Sequence, residues 1–272
     1  MVKAGRRPAV QHVRLLPNAA MTLPDILLLA LAGLTAGAIN AVAGGGTFFT
    51  FAAFTALGLA PGVANASSAV ALTPANFGSA AGYLPEIRLH WRRYRWLALV
   101  SIIGGLGGAL LFLHTPSAAF KAIVPWCLAF ATLLFAAAPA LRRLADRLAA
   151  GPPGTVRRNL GVTLQFIVSI YGGYFGAGMG IIMLSALTLA EGDDYHFNNA
   201  AKNLCALLIQ IFSALSFITA GIVSWPHVLV ATAAAALGGY YGVHIARRVP
   251  GQYIRAFIIC AGAALALRFW LA

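Results

Sequence analysis

The chain has 272 residues, 60% of them hydrophobic and only 9% charged, with 19 Lys and Arg against 6 Asp and Glu. A soluble domain carries about 25% charged residues, so this composition excludes an ordinary water-soluble fold. The formal net charge of +13 sits in short stretches between apolar runs, the pattern of cytoplasmic loops, and nucleic acid is not an expected partner.

Taken in chain order, residues 1–23 read as a basic cytoplasmic tail rather than a cleaved signal. Apolar runs follow at about 24–59, 63–84, 96–113, 120–139, 160–190, 198–221, 227–246 and 252–271. Each is long enough to cross about 30 Å of hydrocarbon as a helix. The expected fold is an all-α polytopic membrane protein with about eight transmembrane helices in two repeats of four, residues 24–139 and 159–272. A cytoplasmic linker, 140–158, joins them and carries Arg142-Arg143, Pro152-Pro153 and Arg157-Arg158. The first and fifth runs are too long for one straight helix, and each contains a glycine cluster.

With the N-terminus inside and eight crossings, 14 Lys and Arg fall on the cytoplasmic face, among them Arg88, Arg92, Arg93 and Arg95. Four fall outside: Lys121, Arg247, Arg248 and Arg255. That asymmetry obeys the positive-inside rule and places the loop Glu191-Gly192-Asp193-Asp194 outside. The expected location is a membrane, crossed several times.

The halves echo each other at a constant shift of 134 positions. Gly44 and Gly46 map to Gly178 and Gly180, Asn65-Ala66 to Asn199-Ala200, Asn76 to Gln210, and Trp91 to Trp225. Four spans per half would make the repeats parallel, whereas a chain reversal at each glycine cluster would make them inverted.

Neither cluster suits a nucleotide loop, since no strand–loop–helix with Lys-Ser or Lys-Thr is present. The pairs Gly33/Gly37, Gly104/Gly108 and Gly172/Gly176 read as close helix–helix packing faces. Gly44-Gly45-Gly46 and the run from Gly172 to Gly180 are denser, and would free backbone groups at bilayer depth. Such breaks survive only in protein or beside a hydrated cavity. Matching interruptions in two halves point to a transporter substrate site, where half-helix N-termini attract anions. Close packing of another helix remains the alternative for these glycines.

Ala41-Val42-Ala43-Gly44-Gly45-Gly46-Thr47 precedes Asn65-Ala66-Ser67-Ser68, and Gly176-Ala177-Gly178-Met179-Gly180 precedes Asn199-Ala200-Ala201-Lys202-Asn203. In that order, and with that duplication, the sequence resembles the sulfite exporter TauE/SafE family, also called toluene sulfonate uptake permeases. The resemblance runs from about residue 25 onward. It implies transport of sulfur-containing or carboxylate organic anions across a bacterial inner membrane. One departure is the short glycine run, followed by Phe48-Phe49 instead of the family's common proline.

Beside the breaks, Asn199, Lys202, Asn203 and Gln210 fall on one helical stripe, as do Asn65, Ser68 and Asn76. Interhelical hydrogen bonding accounts equally well for Asn76 and Gln210. Lys202 has no acidic residue one turn away, and an ionisable group inside a span is a functional candidate. Snorkelling to the surface is its structural alternative.

The expected substrate-binding set is therefore Gly44, Gly45, Gly46, Asn65, Ser68, Gly178, Gly180, Asn199, Lys202 and Asn203. The expected function is a secondary transporter of a small anion, acting as an exporter, with no cofactor, no metal and no catalysis. Partners are the anionic substrate, the lipid bilayer and, as a possible assembly, a homodimer. The spans hold no carboxylate except Asp25 at a margin, so a carboxylate proton relay is not expected. Export would run on the membrane potential, worth about 2.3 kcal/mol per charge per 100 mV. The rival readings are an intramembrane enzyme, for which no His-Glu-x-x-His or in-span aspartate pair exists, and a non-transporting assembly subunit.

Overall fold

The protein is described by a computed structural model covering residues 21–149, 154–192, 195–246 and 251–271. Most of the tail, the linker prolines Pro152-Pro153, Asp193-Asp194 and Arg247-Arg248 lie outside the described residues. The first half comprises α1 (Leu23–Ala43), α2 (Thr47–Ala56), α3 (Pro61–Ala81), α4 (Leu84–Leu89), α5 (Trp91–His114) and α6 (Ser117–Ala149). The second comprises α7 (Thr155–Tyr174), α8 (Met179–Glu191), α9 (Tyr195–Thr219), α10 (Trp225–Ala246) and α11 (Gly251–Leu271).

Local chemistry sets the ends. Thr22 donates its backbone N–H and its hydroxyl to Asp25 Oδ2, at 2.9 and 2.7 Å, which starts α1. The carboxylate in that first turn also suits the positive end of the helix dipole. The helix stops at Gly44, whose φ of 74° is left-handed and whose N–H closes the last turn on Asn40 and Ile39. Gly178, φ 75°, opens α8 in the same conformation. A side chain at either position would be strained.

Among the described residues, five helices are long and apolar enough to cross a membrane: α1, α5, α6, α9 and α11. The other long helices, α3, α7 and α10, have 21, 20 and 22 residues. Outward faces present large apolar side chains, among them Leu31, Leu111, Leu133, Leu237 and Leu267, where lipid would lie.

Helix direction follows from the contacts. Gly33 lies on Ala231 and Ala234, and Gly37 on Ala235 and Gly239, so α1 and α10 run parallel. Gly104 meets Phe166 and Ser169 while Gly108 meets Ile170 and Tyr174, so α5 and α7 run parallel as well. Tyr94 against Phe197 and Gly105 against Ile209 give the same sense to α5 and α9. Ser67 against Ser224 and Ala75 against Gly239 do so for α3 and α10. By contrast, α6 and α11 are antiparallel, pairing Trp126 with Trp270 and Thr132 with Gly262.

The short helices fold back. A Cβ on Gly161 would sit 2.6 Å from Ala190 Cα, so α8 returns along α7. Phe54, near the end of α2, meets His227 at the start of α10, beside which α1 also begins. Each glycine cluster thus forms the tip of a helical hairpin.

This corrects one expectation. Arg93 donates from Nε to Glu191 Oε2 at 3.0 Å, with a second bond from its terminal nitrogen. Residues 88–95 and 191 therefore share a face, whereas the charge tally set them on opposite sides. The apolar run 160–190 reads as a single crossing, because a hydropathy run carries no sign of a chain that turns back inside it.

Two of the three expected glycine pairs line helix contacts. A Cβ on Gly37 would overlap the Ala235 carbonyl oxygen, and one on Gly108 the Ile170 carbonyl oxygen. The third pair differs: Gly172 packs under Met179 Sδ and Ile209, while Gly176, φ 78°, belongs to the hairpin tip.

Candidate substrate site at the two hairpin tips

The tips converge. A Cβ built on Gly44 would lie 3.4 Å from Gly180 Cα, in the opposite tip. Between them stands the buried ring of Phe135 on α6, 2.6 Å from a Cβ on Gly45 and 3.4 Å from one on Gly178. Phe135 is a residue that sequence reasoning missed, because nothing in a run of alanine and phenylalanine distinguishes it. Gly46 serves the turn itself. A Cβ there would overlap the Ala36 carbonyl oxygen, so the bare glycine lets α2 turn tightly against α1.

The second tip is tied off by side chains. Asn65 Nδ2 donates 2.9 Å to the Tyr174 carbonyl, one of the acceptors left open where α7 ends. Tyr171 closes the loop by donating its hydroxyl 2.6 Å to the Ala177 carbonyl. Tyr174 reaches Thr115 at 3.4 Å. Ser68 donates 2.6 Å to Thr50 Oγ1, binding α3 to α2. Asn65 and Ser68 are thus committed to holding helices. On α8, the Gly180 N–H has no acceptor among the described residues, which leaves one donor at that N-terminus.

At the first tip the balance is reversed. Asn40, in the last turn of α1, donates 2.7 Å to Asn76 Oδ1 on α3. Gln210 on α9 donates 2.6 Å to the Ala69 carbonyl of α3. The short connection 220–224 joins α9 to α10, and α10 runs parallel to α3, so α9 and α3 are antiparallel. Two turns from the Gln210–Ala69 contact, about 10 Å along each axis, lie Asn203 on one helix and Asn76 on the other. Asn203 shares the helix face of Gln210 and so looks toward α3 at the depth of Asn76.

Asn199, Lys202 and Asn203 are all buried, Lys202 to 9% exposure. Asn199 has a bonding partner. Among the described residues, neither the Lys202 ammonium nor the Asn203 amide has a hydrogen bond or ion pair. Asn203 and the Asn40–Asn76 pair thus lie at one depth beside the end of α1, and Lys202 is a buried side chain one position away on α9, on the face of Ile209 that packs against Gly105 and Gly172. A lysine in such a place is chemically suited to an anionic partner. Among the described residues no group of His, Cys, Asp or Glu is arranged to hold a metal.

Two further polar groupings escaped the sequence reading. Asn198 binds the end of α8, donating 2.6 Å to the Gly192 carbonyl and 3.3 Å to Thr188 Oγ1. Gln165 donates 2.9 Å to Ser101 Oγ across the α5–α7 seam. Both are single amides without a motif around them.

The profile of the family described as "Sulfite exporter TauE/SafE" matches residues 29–269. The chain belongs to the TauE/SafE family. Its relatives include "Probable membrane transporter protein ORF9" of Sinorhizobium sp, 27% identical over 253 residues, covering 89% of this chain and 91% of that one. "Probable membrane transporter protein YfcA" of Escherichia coli is 23% identical over 253 residues, covering 91% of each. A "Probable membrane transporter protein" of Haemophilus influenzae is 23% identical over 242 residues, covering 86% of this chain and 91% of that one. A TauE/SafE member with these apolar helices is a multi-pass membrane protein of a transporter family, with a small-molecule substrate.

Proposed function

We propose that this TauE/SafE protein is a secondary transporter that moves a small anion (sulfite, a sulfonate or a related organic acid) across the bacterial inner membrane, as an exporter. The observation that carries the reading is the buried Lys202 side chain beside Asn203, whose ammonium has no hydrogen bond or ion pair among the described residues. Gly44, Gly45, Gly178 and Gly180 line the meeting tips, and Lys202, Asn203 and Asn199 supply the polar wall. Asn65, Ser68 and Gly46 hold that geometry.

We read the halves as inverted repeats of three crossings and one re-entrant hairpin, in place of parallel repeats of four. The parallel pairs α1–α10 and α5–α7, together with the Arg93–Glu191 bridge, support this path. Inverted repeats rocking about a central site are a common route to alternating access. The same path gathers Arg88, Arg92, Arg93, Arg95, Arg142, Arg143, Arg147, Arg157 and Arg158 on one face. By the positive-inside rule that face is cytoplasmic, which moves the N-terminus to the other side of the membrane.

Proteoliposomes loaded with labelled sulfite, a panel of alkylsulfonates and small carboxylates test the reading. At least one anion is expected to move in the wild type and to lose at least tenfold of its flux in Lys202→Ala and in Gly45→Leu. Wild-type flux in both variants refutes the site, and no flux of any anion refutes the function.

A further inference from the structure

Among the described residues, the helices around Lys202 bring it no countercharge. Its helix, α9, packs against α3, α4, α5, α7 and α8. Helix α3 carries no ionisable side chain. The carboxylates on the other four are Glu86 of α4 and Glu191 of α8; Glu191 is held by Arg93, and neither bridges Lys202. The remaining charges are like-signed: Arg92, Arg93 and Arg95 at the start of α5, Arg157 and Arg158 at the start of α7, and Arg88 in the last turn of α4. His114, on the last turn of α5, is bound to the Leu110 carbonyl. The hydroxyls of Tyr94, Tyr171 and Tyr174 are donated to Phe197, Ala177 and Thr115. On α9 itself, His196 is exposed at the start of the helix and Cys205 is a buried thiol.

An ammonium held in hydrocarbon without a countercharge costs several kcal/mol, and such groups neutralise instead. Two states of this site avoid that cost. One is the ammonium with an anion against it, and the other is the neutral amine with the site empty. Resting on the transport reading above, we infer that Lys202 takes up one proton with each anion and gives it up when the anion leaves. On one side the amine, a proton from water and the anion combine into an ammonium–anion pair. On the other side the pair separates, returning both anion and proton to water. Atoms and charge balance, and each cycle carries one anion and one proton with no net charge.

The consequence is that the membrane potential does not drive the cycle, in contrast to the expectation drawn from the missing carboxylates. Direction is set by the combined anion and proton gradients. A pH difference of one unit is balanced by an about tenfold anion gradient, so export proceeds when internal anion exceeds that ratio.

Ethanesulfonate is the probe, because its sulfonate stays ionised across the working pH range and cannot itself carry the proton. In proteoliposomes containing the whole chain, an acidic exterior is expected to drive ethanesulfonate inward. An internal pH dye should report one proton per anion, and an imposed potential should change the rate less than twofold. Lys202→Arg gives the sharpest test, since a guanidinium does not deprotonate. External anion should still exchange with internal anion, while net flux falls at least tenfold because the empty carrier keeps its charge.

Wild-type flux that follows the potential without moving protons overturns the inference and leaves the transporter standing. Undiminished net flux in Lys202→Arg overturns it as well. If Lys202→Arg loses both modes, Lys202→Gln decides: proton movement that persists there overturns the inference, and anion flux without protons upholds it. No movement of ethanesulfonate under any gradient overturns the transport reading, and the inference with it.

Discussion

Adjacent glycines on α5 give a direct test of the helix-packing argument. Gly107 and Gly108 occupy the same helix interior, so alanine at either gains the same intrinsic helix propensity, about 1 kcal/mol. Their surroundings differ. A Cβ on Gly107 meets nothing within 4 Å. One on Gly108 would overlap the Ile170 carbonyl oxygen and come within 2.9 Å of the Ile170 carbonyl carbon and the Tyr174 nitrogen. Carbon atoms rest at about 3.5–4.0 Å, so α5 and α7 would have to part by roughly 1 Å along that seam. Overpacking of this kind costs about 1–3 kcal/mol, and in lipid no hydrophobic gain between helices offsets it. Gly107→Ala should therefore be neutral or stabilising by up to about 1 kcal/mol. Gly108→Ala should be destabilising by up to about 2 kcal/mol after the propensity gain, a gap of about 1–3 kcal/mol between neighbours. Thermal unfolding of the purified variants in lipid nanodiscs measures that gap. Equal shifts for the two would refute the parallel, closely packed α5–α7 seam.

Other expectations follow from single contacts. Asn65→Leu leaves the Tyr174 carbonyl buried without its donor, a loss of about 1–3 kcal/mol in stability, with anion flux reduced while Lys202 is untouched; unchanged stability and flux would remove the helix-holding role. Arg93 is 53% exposed, so a double-mutant cycle of Arg93→Ala and Glu191→Ala should give no more than about 1 kcal/mol of coupling. In a cysteine-free background, Arg93→Cys and Glu191→Cys should both react with a membrane-impermeant thiol reagent from the cytoplasmic side alone. Labelling of the two from opposite sides would restore the path of eight crossings. Finally, Tyr171→Phe frees the Ala177 carbonyl and should loosen the second tip, read as faster hydrogen exchange at residues 175–178 with the rest of α7 unaffected; unaltered exchange there contradicts the clasp.

Composition alone determined the class of this protein: a chain with so few charges and so many long apolar runs buries its backbone in helices within lipid. The glycine clusters and the isolated lysine were also legible, because Gly44, Gly178 and Lys202 are each costly where they stand and so demand a reason. What the runs could not carry was direction. Hydropathy reports how much apolar chain there is, and the stretch 160–190 reads the same whether it crosses once or turns back at Gly176–Gly178. Only the tertiary contacts, Gly161 on Ala190 and Arg93 on Glu191, distinguish these paths. The same holds for the polar residues. Asn65 and Asn203 look alike in sequence, yet one amide is used on the Tyr174 carbonyl and the other has no hydrogen bond among the described residues. Whether a buried polar group holds the fold or waits for a ligand depends on what the other helices bring to it, and that is decided in three dimensions.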